Sequence, residues 1–95
     1  MSPGSPTDLD VLDMRRRRAV WRASHRGTRE LDILVGKYAE SHVPRMAVGE
    51  LETFEDFLCV PDPDLKRWLL TPGDTAASDP YINLVAAVRR FHGLI

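Results

Sequence analysis

Cysteine is almost absent from this 95-residue chain, which contains one, Cys59. A single cysteine excludes an intrachain disulfide and a metal site built from several thiolates. A lone thiol is typical of proteins from a reducing compartment. Because an isolated cysteine at a helix end is usually a small apolar residue, we expect Cys59 to face the core and not to act as a nucleophile.

Long hydrophobic runs are also missing, since no stretch approaches the ~18 apolar residues of a membrane-spanning helix. The first thirteen residues contain proline, serine and aspartate but no lysine or arginine. This composition fits neither a secretory signal nor a mitochondrial presequence. We therefore expect a cytoplasmic bacterial protein without a membrane partner.

The sequence lacks the usual signatures of catalysis. Its six glycines form neither a GxGxxG fingerprint nor a phosphate-binding loop. The three histidines are far apart in sequence, and no HExxH or Cys/His cluster occurs. A chain of this length forms one domain with a modest core and little room for an enclosed cofactor cavity. We expect no metal, no stably bound cofactor and no enzymatic activity.

A net charge of one sign is lacking too, because the formal total is only −1. The charges are nevertheless separated along the chain. Seven of the 13 basic residues lie between Arg15 and Arg29, whereas residues 47–65 contain six acids and no lysine or arginine. Such a distribution orients a charged partner or is satisfied by ion pairs within the fold.

What the sequence does contain is helical periodicity. No segment alternates with a period of two, and no hairpin dipeptide appears. Asp13, Asp62 and Asp79 are predicted N-caps, and together with the prolines and glycines between segments they divide the chain into five helical segments. We predict a disordered tail over residues 1–12 and an all-α, single-domain five-helix bundle over residues 13–95. The predicted helices are Asp13 to about His25, Thr28–His42, Ala47–Cys59, Pro63–Leu70 and Pro80 to about His92.

Apolar positions at helical spacing predict the core. The third helix should bury Ala47, Leu51, Phe54 and Leu58, and the fifth Tyr81, Leu84, Val85, Val88 and Phe91. Trp68 is expected in the core. Trp21, flanked by arginines, fits the core and an exposed stacking platform equally well.

The most distinctive run is His25-Arg26-Gly27-Thr28-Arg29-Glu30-Leu31-Asp32, at the junction of the first two helices. A glycine there permits a sharp turn and the close approach of another backbone. Arg26 and Glu30 are four residues apart, so they would pair if the helical sense continued. A purely structural explanation is therefore open, with Gly27 as a turn residue and Glu30 as a helix cap paired to Arg26.

At these residues the sequence resembles the SdhE-type flavinylation factors, whose Arg-Gly-x-x-Glu motif is matched by Arg26, Gly27 and Glu30. The similarity extends to the basic first helix with Trp21, to Phe54-Glu55-Asp56-Phe57-Leu58, and to Pro61-Asp62-Pro63-Asp64-Leu65 followed by Trp68-Leu69. It covers roughly Leu12 to Phe91.

The resemblance implies a five-helix assembly factor, not an enzyme. Its expected partner is the flavoprotein subunit of succinate dehydrogenase, with fumarate reductase as a further candidate client. It would promote covalent attachment of FAD to a histidine of that subunit, acting on FAD that the partner holds. The expected partner-binding residues are His25, Arg26, Gly27, Arg29, Glu30 and Asp32, supported by Asp62, Pro63 and Trp68. We expect a monomer.

Two other classes remain open from the residues alone. The Arg15–Arg18 cluster suggests an anionic-surface or nucleic-acid binder, although four consecutive arginines do not share one helix face. The acidic middle of the chain and its net charge of −1 favour a protein partner over a nucleic acid. The other class is a small regulatory or antitoxin-like binding protein.

Overall fold

The computed structural model describes residues 7–71 and 81–94, and over these ranges the chain is all-α, as predicted. The five helices are α1 (Asp8–Ser24), α2 (Arg29–His42), α3 (Val48–Phe57), α4 (Asp62–Leu70) and α5 (Ile82–Phe91). A 3-10 turn over Val43–Arg45, with Pro44 at its start, separates α2 from α3. Within the described ranges no helix has the length and apolar character needed to cross a bilayer.

The start of α1 corrects the sequence prediction. Thr7, not Asp13, is the N-cap, and it forms a capping box with Asp10. The main-chain N–H of Asp10 donates to Thr7 Oγ1 at 3.1 Å, and that of Thr7 donates to Asp10 Oδ2 at 3.2 Å. Asp13 instead accepts from Arg17 Nη2 at 2.8 Å. Residues 8–12 of the predicted tail are thus helical, and residues 1–6 lie outside the described residues.

Two further predicted helix starts have different outcomes. The N-cap of α4 is Pro61, so Asp62 lies in the first turn and its side chain does not cap the helix. The predicted cap at Asp79 and the first helical residue Pro80 lie outside the described residues. The described part of α5 begins at Ile82, with Tyr81 before it.

The core is built from the apolar stripes of all five helices. Fully buried side chains include Leu31, Val35, Leu51, Phe54, Phe57, Leu65, Leu69 and Val88. Three residues predicted to be buried are exposed, and each lies at the edge of an element: Ala47 is the N-cap of α3, Cys59 follows the end of α3, and Phe91 is the last residue of α5. At the end of an element a side chain is covered on fewer sides, and the Phe91 ring accordingly meets Tyr38 and His42 at the edge of the core.

The most extensive contact between the described helices is that of α1 with α2. Gly36 is buried, and a Cβ built on it would lie 2.8 Å from Ser24 Oγ and 3.0 Å from Ser24 Cα. The absence of a side chain at Gly36 therefore lets α2 lie directly against the last turn of α1. This contact fixes the geometry from which the α1–α2 turn projects.

Candidate protein-binding site at the α1–α2 turn

Gly27 forms the tip of the turn between α1 and α2. Its φ is +101°, a left-handed conformation that residues with a Cβ rarely adopt. The glycine is exposed, and nothing in the described parts of the chain lies within 4 Å of a Cβ built on it. The backbone angle requires glycine, and the open space beside it leaves room for another molecule.

Arg26 points into the chain. Its side chain is only 11% exposed. Nε and Nη2 donate to Asp62 Oδ1 at 3.0 and 2.6 Å, Nη2 also donates to Val60 O at 2.8 Å, and Nη1 donates to Leu58 O. The pairing with Glu30 suggested by their spacing is wrong. The guanidinium instead connects the α1–α2 turn to the α3–α4 turn.

Asp32 holds the main chain of the same arginine. Its Oδ1 accepts from the Arg26 N–H at 2.5 Å. Thr28 is the N-cap of α2, yet its side chain makes no capping hydrogen bond, and its buried Oγ1 has no partner among the described residues. Asp32 therefore replaces the cap as the group that ties the turn to α2, and Asp62 binds the Arg26 side chain.

Glu30, Arg29 and His25 face outward beside Gly27. The Glu30 side chain is 63% exposed, and its Oε2 lies 3.0 Å from Lys66 Nζ on α4. Arg29 is exposed and has no partner within residues 7–71 and 81–94. Sequence reasoning missed Lys66, because nothing in its local sequence indicates a contact with a residue so far away along the chain.

Trp21 is exposed, which decides between its two predicted environments. It is 62% exposed, and its ring stacks on His25 with centroids 4.3 Å apart. His25 Nδ1 donates to Trp21 O at 2.7 Å, which fixes the imidazole. Two of the predicted supporting residues differ in burial. Trp68 is half-buried, with its ring centroid 6.2 Å from that of Tyr81. Pro63 is exposed in the first turn of α4. The supporting residues therefore have different environments.

The Trp21–His25 pair separates two depressions in the surface. On one side lies a groove of about 570 Å³ between α1 and the end of α2, with Val20 and Pro44 in its wall. On the other lies a smaller depression of about 190 Å³, lined by Arg22 and the Arg26–Asp62 pair. An exposed aromatic ridge thus lies next to the motif turn.

The arginine run on α1 is largely engaged within the chain. Arg18 alone of the four has no partner among the described residues. The hydrogen bond to Glu55 raises the pKa of Arg15 further above its ordinary value. The three engaged contacts are Arg15 with Glu55 Oε1 at 2.5 Å, Arg16 with Met46 O at 2.6 Å, and Arg17 with Asp13 at 2.8 Å.

Comparison with curated proteins gives relatives with a consistent description. The chain is 48% identical over 68 residues to "FAD assembly factor SdhE" of Acetobacter pasteurianus, a match covering 72% of this chain and 62% of that protein. It is 38% identical over 61 residues to "Succinate dehydrogenase assembly factor 2, mitochondrial" of Komagataella phaffii, covering 64% of this chain and 32% of that protein. It is 29% identical over 79 residues to "FAD assembly factor SdhE" of Haemophilus ducreyi, covering 81% of this chain and 95% of that protein.

The chain thus spans less than two thirds of the length of the Acetobacter and Komagataella proteins. No solved structure matches it significantly. The family profile described as "Flavinator of succinate dehydrogenase" matches residues 17–92, which is well over half of the chain and includes every residue of the α1–α2 turn. The chain therefore belongs to the family of flavinators of succinate dehydrogenase.

Proposed function

We propose that this chain binds the flavoprotein subunit of succinate dehydrogenase and promotes covalent attachment of FAD to a histidine of that subunit. Family membership and the printed descriptions of its relatives support this assignment. The structural observation that carries it is the exposed turn, where Gly27 leaves open space between the outward-facing Glu30, Arg29 and His25.

The turn is well suited to protein binding because it is held rigidly before a partner arrives. Asp32 fixes the Arg26 main chain, and Asp62 with two main-chain carbonyls fixes its guanidinium. A surface that is already ordered loses little conformational freedom on binding. Arg26, Asp32 and Asp62 therefore act as positioning residues, and Gly27, Arg29, Glu30 and His25 form the contact surface.

The proposed role is that of a chaperone and not of an enzyme. FAD is held by the flavoprotein, and this chain binds a conformer in which the flavin and the acceptor histidine are aligned. Holding two reacting groups near attack geometry can contribute about 7–11 kcal/mol in the best intramolecular cases. The chain then needs only to stabilise one arrangement of its partner. A 95-residue monomer can do this through its surface, without an enclosed cavity of its own.

Co-expression with the flavoprotein subunit tests this function. Covalent flavin is measured by fluorescence of the denatured subunit in a gel, with and without the chain, and with a Glu30→Ala variant. Glu52→Ala is the matched control, because Glu52 is an exposed acid on α3. We expect the wild-type chain and the Glu52 variant to raise covalent flavin, and the Glu30 variant to raise it much less. Equal covalent flavin with and without the chain would contradict the proposal.

A further inference from the structure

The outward face of α1 carries an apolar and cationic stripe that the motif does not include. Arg18, Trp21 and Arg22 have the spacing i, i+3 and i+4, which places them on one face of α1. His25, the C-cap residue, extends this stripe because its ring stacks on Trp21. The buried positions of α1, Ala19 and Ala23, belong to a different face. The stripe therefore faces away from the core.

Neither arginine of this stripe is paired with a carboxylate of the described residues. Within the described part of the chain Arg18 has no partner, and the one hydrogen bond of the Arg22 side chain is a donation to Cys59 Sγ at 3.6 Å. By contrast, Arg17, one position away, is paired with Asp13 at 2.8 Å. Two guanidinium groups next to each other on the stripe are thus left available for acidic groups of another molecule.

Apolar side chains accompany these cations. Trp21 is 62% exposed between Arg18 and Arg22, and the same face continues toward the N-terminus with Met14 and Val11, which are also exposed. Trp and Arg are the residues most enriched among those that dominate protein–protein binding energies. The stripe therefore combines the two chemistries that a protein interface uses most effectively.

We propose that this stripe binds an acidic, amphipathic segment of the flavoprotein subunit. Carboxylates of that segment would pair with Arg18 and Arg22, whose guanidinium groups can bind a carboxylate through two parallel hydrogen bonds. An apolar side chain of the same segment would pack on Trp21. The inference rests on the proposed function and extends the contact surface beyond the Gly27 turn along α1.

The exposed apolar side chains favour a protein segment over a nucleic acid. A phosphate backbone provides negative charge but no apolar group to cover Met14 and Val11. The neighbouring Asp13 carboxylate and the net charge of −1 also oppose a polyanion. A segment with alternating carboxylates and apolar side chains matches both components of the stripe.

The test is a titration of the purified flavoprotein subunit with four chains: wild type, Arg18→Glu, Arg22→Glu and Trp21→Ala. The matched controls are Arg90→Glu, an exposed arginine on α5, and Val48→Ala, an exposed apolar residue at the start of α3. Circular dichroism checks that each variant is folded. We expect each stripe variant to bind about tenfold or more weakly, and each control to bind within about twofold of wild type. The two arginine variants should also show a weaker dependence of affinity on salt.

The outcomes separate this inference from the function on which it rests. If the wild-type chain binds the flavoprotein and the stripe variants bind it equally well, the inference is overturned and the proposed function stands. If the wild-type chain does not bind the flavoprotein, the proposed function fails, and this inference fails with it. If the chain binds a DNA or RNA duplex more tightly than the flavoprotein, and the stripe variants lose that binding, the acidic-protein assignment is overturned in favour of a polyanion.

Discussion

The guanidinium of Arg26 lies 2.6 Å from the carboxylate of Asp62, across 36 positions of the sequence. The same guanidinium donates to the main-chain carbonyls of Leu58 and Val60. The arginine of the motif therefore connects two inter-helix turns. The family motif thus contains two kinds of residue. Arg26 holds the turn in place, whereas Gly27 and Glu30 are exposed on its surface.

Replacing Arg26 by alanine is expected to reduce stability as well as function. Charge-assisted hydrogen bonds contribute about 1.5–3 kcal/mol each, and their loss leaves the Asp62 carboxylate and two carbonyls without this donor. We expect Arg26→Ala to lower the free energy of unfolding by about 2–4 kcal/mol in urea titrations. Arg26→Lys should recover less than half of the loss, since an ammonium lacks the planar fork.

Arg29→Ala is the control for this prediction. Arg29 is exposed and unpaired within the described ranges, so its removal should change stability by less than about 0.5 kcal/mol. A finding that the Arg26 and Arg29 variants unfold at the same urea concentration would show that Arg26 does not hold the turn.

The backbone angle of Gly27 and the open space beside it have different expected roles, the first in stability and the second in binding. Gly27→Ala should destabilise the chain by about 1–3 kcal/mol through strain at φ +101°, without a clash against any described residue. A synthetic chain with d-alanine at this position relieves the strain but still adds a methyl group to the surface. We expect it to unfold like wild type and to bind the flavoprotein more weakly. Wild-type affinity of the d-alanine chain would mean that the open space at Gly27 is not a contact surface.

A side chain at Gly36 is expected to destabilise the fold. A Cβ there would lie 3.0 Å from the Ser24 backbone, so Gly36→Ala is expected to push α1 and α2 apart at a cost of about 1–3 kcal/mol. Gly49 is the matched control, since a Cβ on it has open space and Gly49→Ala should stabilise α3 by about 0.5 kcal/mol. Thermal unfolding distinguishes the two, and equal melting temperatures would contradict the close contact between α1 and α2.

Ionisation of the Tyr38 hydroxyl is expected to lower the free energy of unfolding at alkaline pH. Burial, assisted by the charge of Glu50, raises the pKa of the Tyr38 hydroxyl above its ordinary value near 10. Above about pH 10 the unfolded chain releases this proton first, so the unfolded state binds fewer protons and the free energy of unfolding falls as pH rises. Tyr38→Phe should reduce this slope above about pH 10. A variant with the wild-type slope would show that Tyr38 does not contribute to it.

The sequence was sufficient to predict the helices because their apolar stripes and punctuation are local. Leu51, Phe54 and Val88 were predicted to be buried, and they are. The start of α1 was also readable in principle, since Thr7 and Asp10 have capping-box spacing. Asp13, directly before the arginine run, is also a good N-cap residue, and the sequence prediction favours it over Thr7.

What the sequence could not provide was the pairing between distant turns. The pattern Pro61-Asp62-Pro63 favours a helix cap at Asp62, and only the packing of α1 near the α3–α4 turn reveals Arg26 as the partner of that carboxylate. The same holds for Glu30, whose ion pair is with Lys66 on α4. Local spacing suggested a contact between Arg26 and Glu30, and tertiary contacts replaced it with two others.

Glu30, exposed beside the Gly27 turn, is proposed to promote flavinylation from the surface of the chain. The most direct measurement is the rate of covalent flavin formation in purified apo-flavoprotein with FAD, in the presence of wild-type chain, Glu30→Ala or Lys66→Ala. The Glu30–Lys66 pair is exposed, so either variant should lose at most about 1 kcal/mol of stability. We expect wild type and the Lys66 variant to accelerate the reaction and the Glu30 variant to accelerate it at least tenfold less. A Glu30 variant as effective as wild type would show that Glu30 does not promote flavinylation.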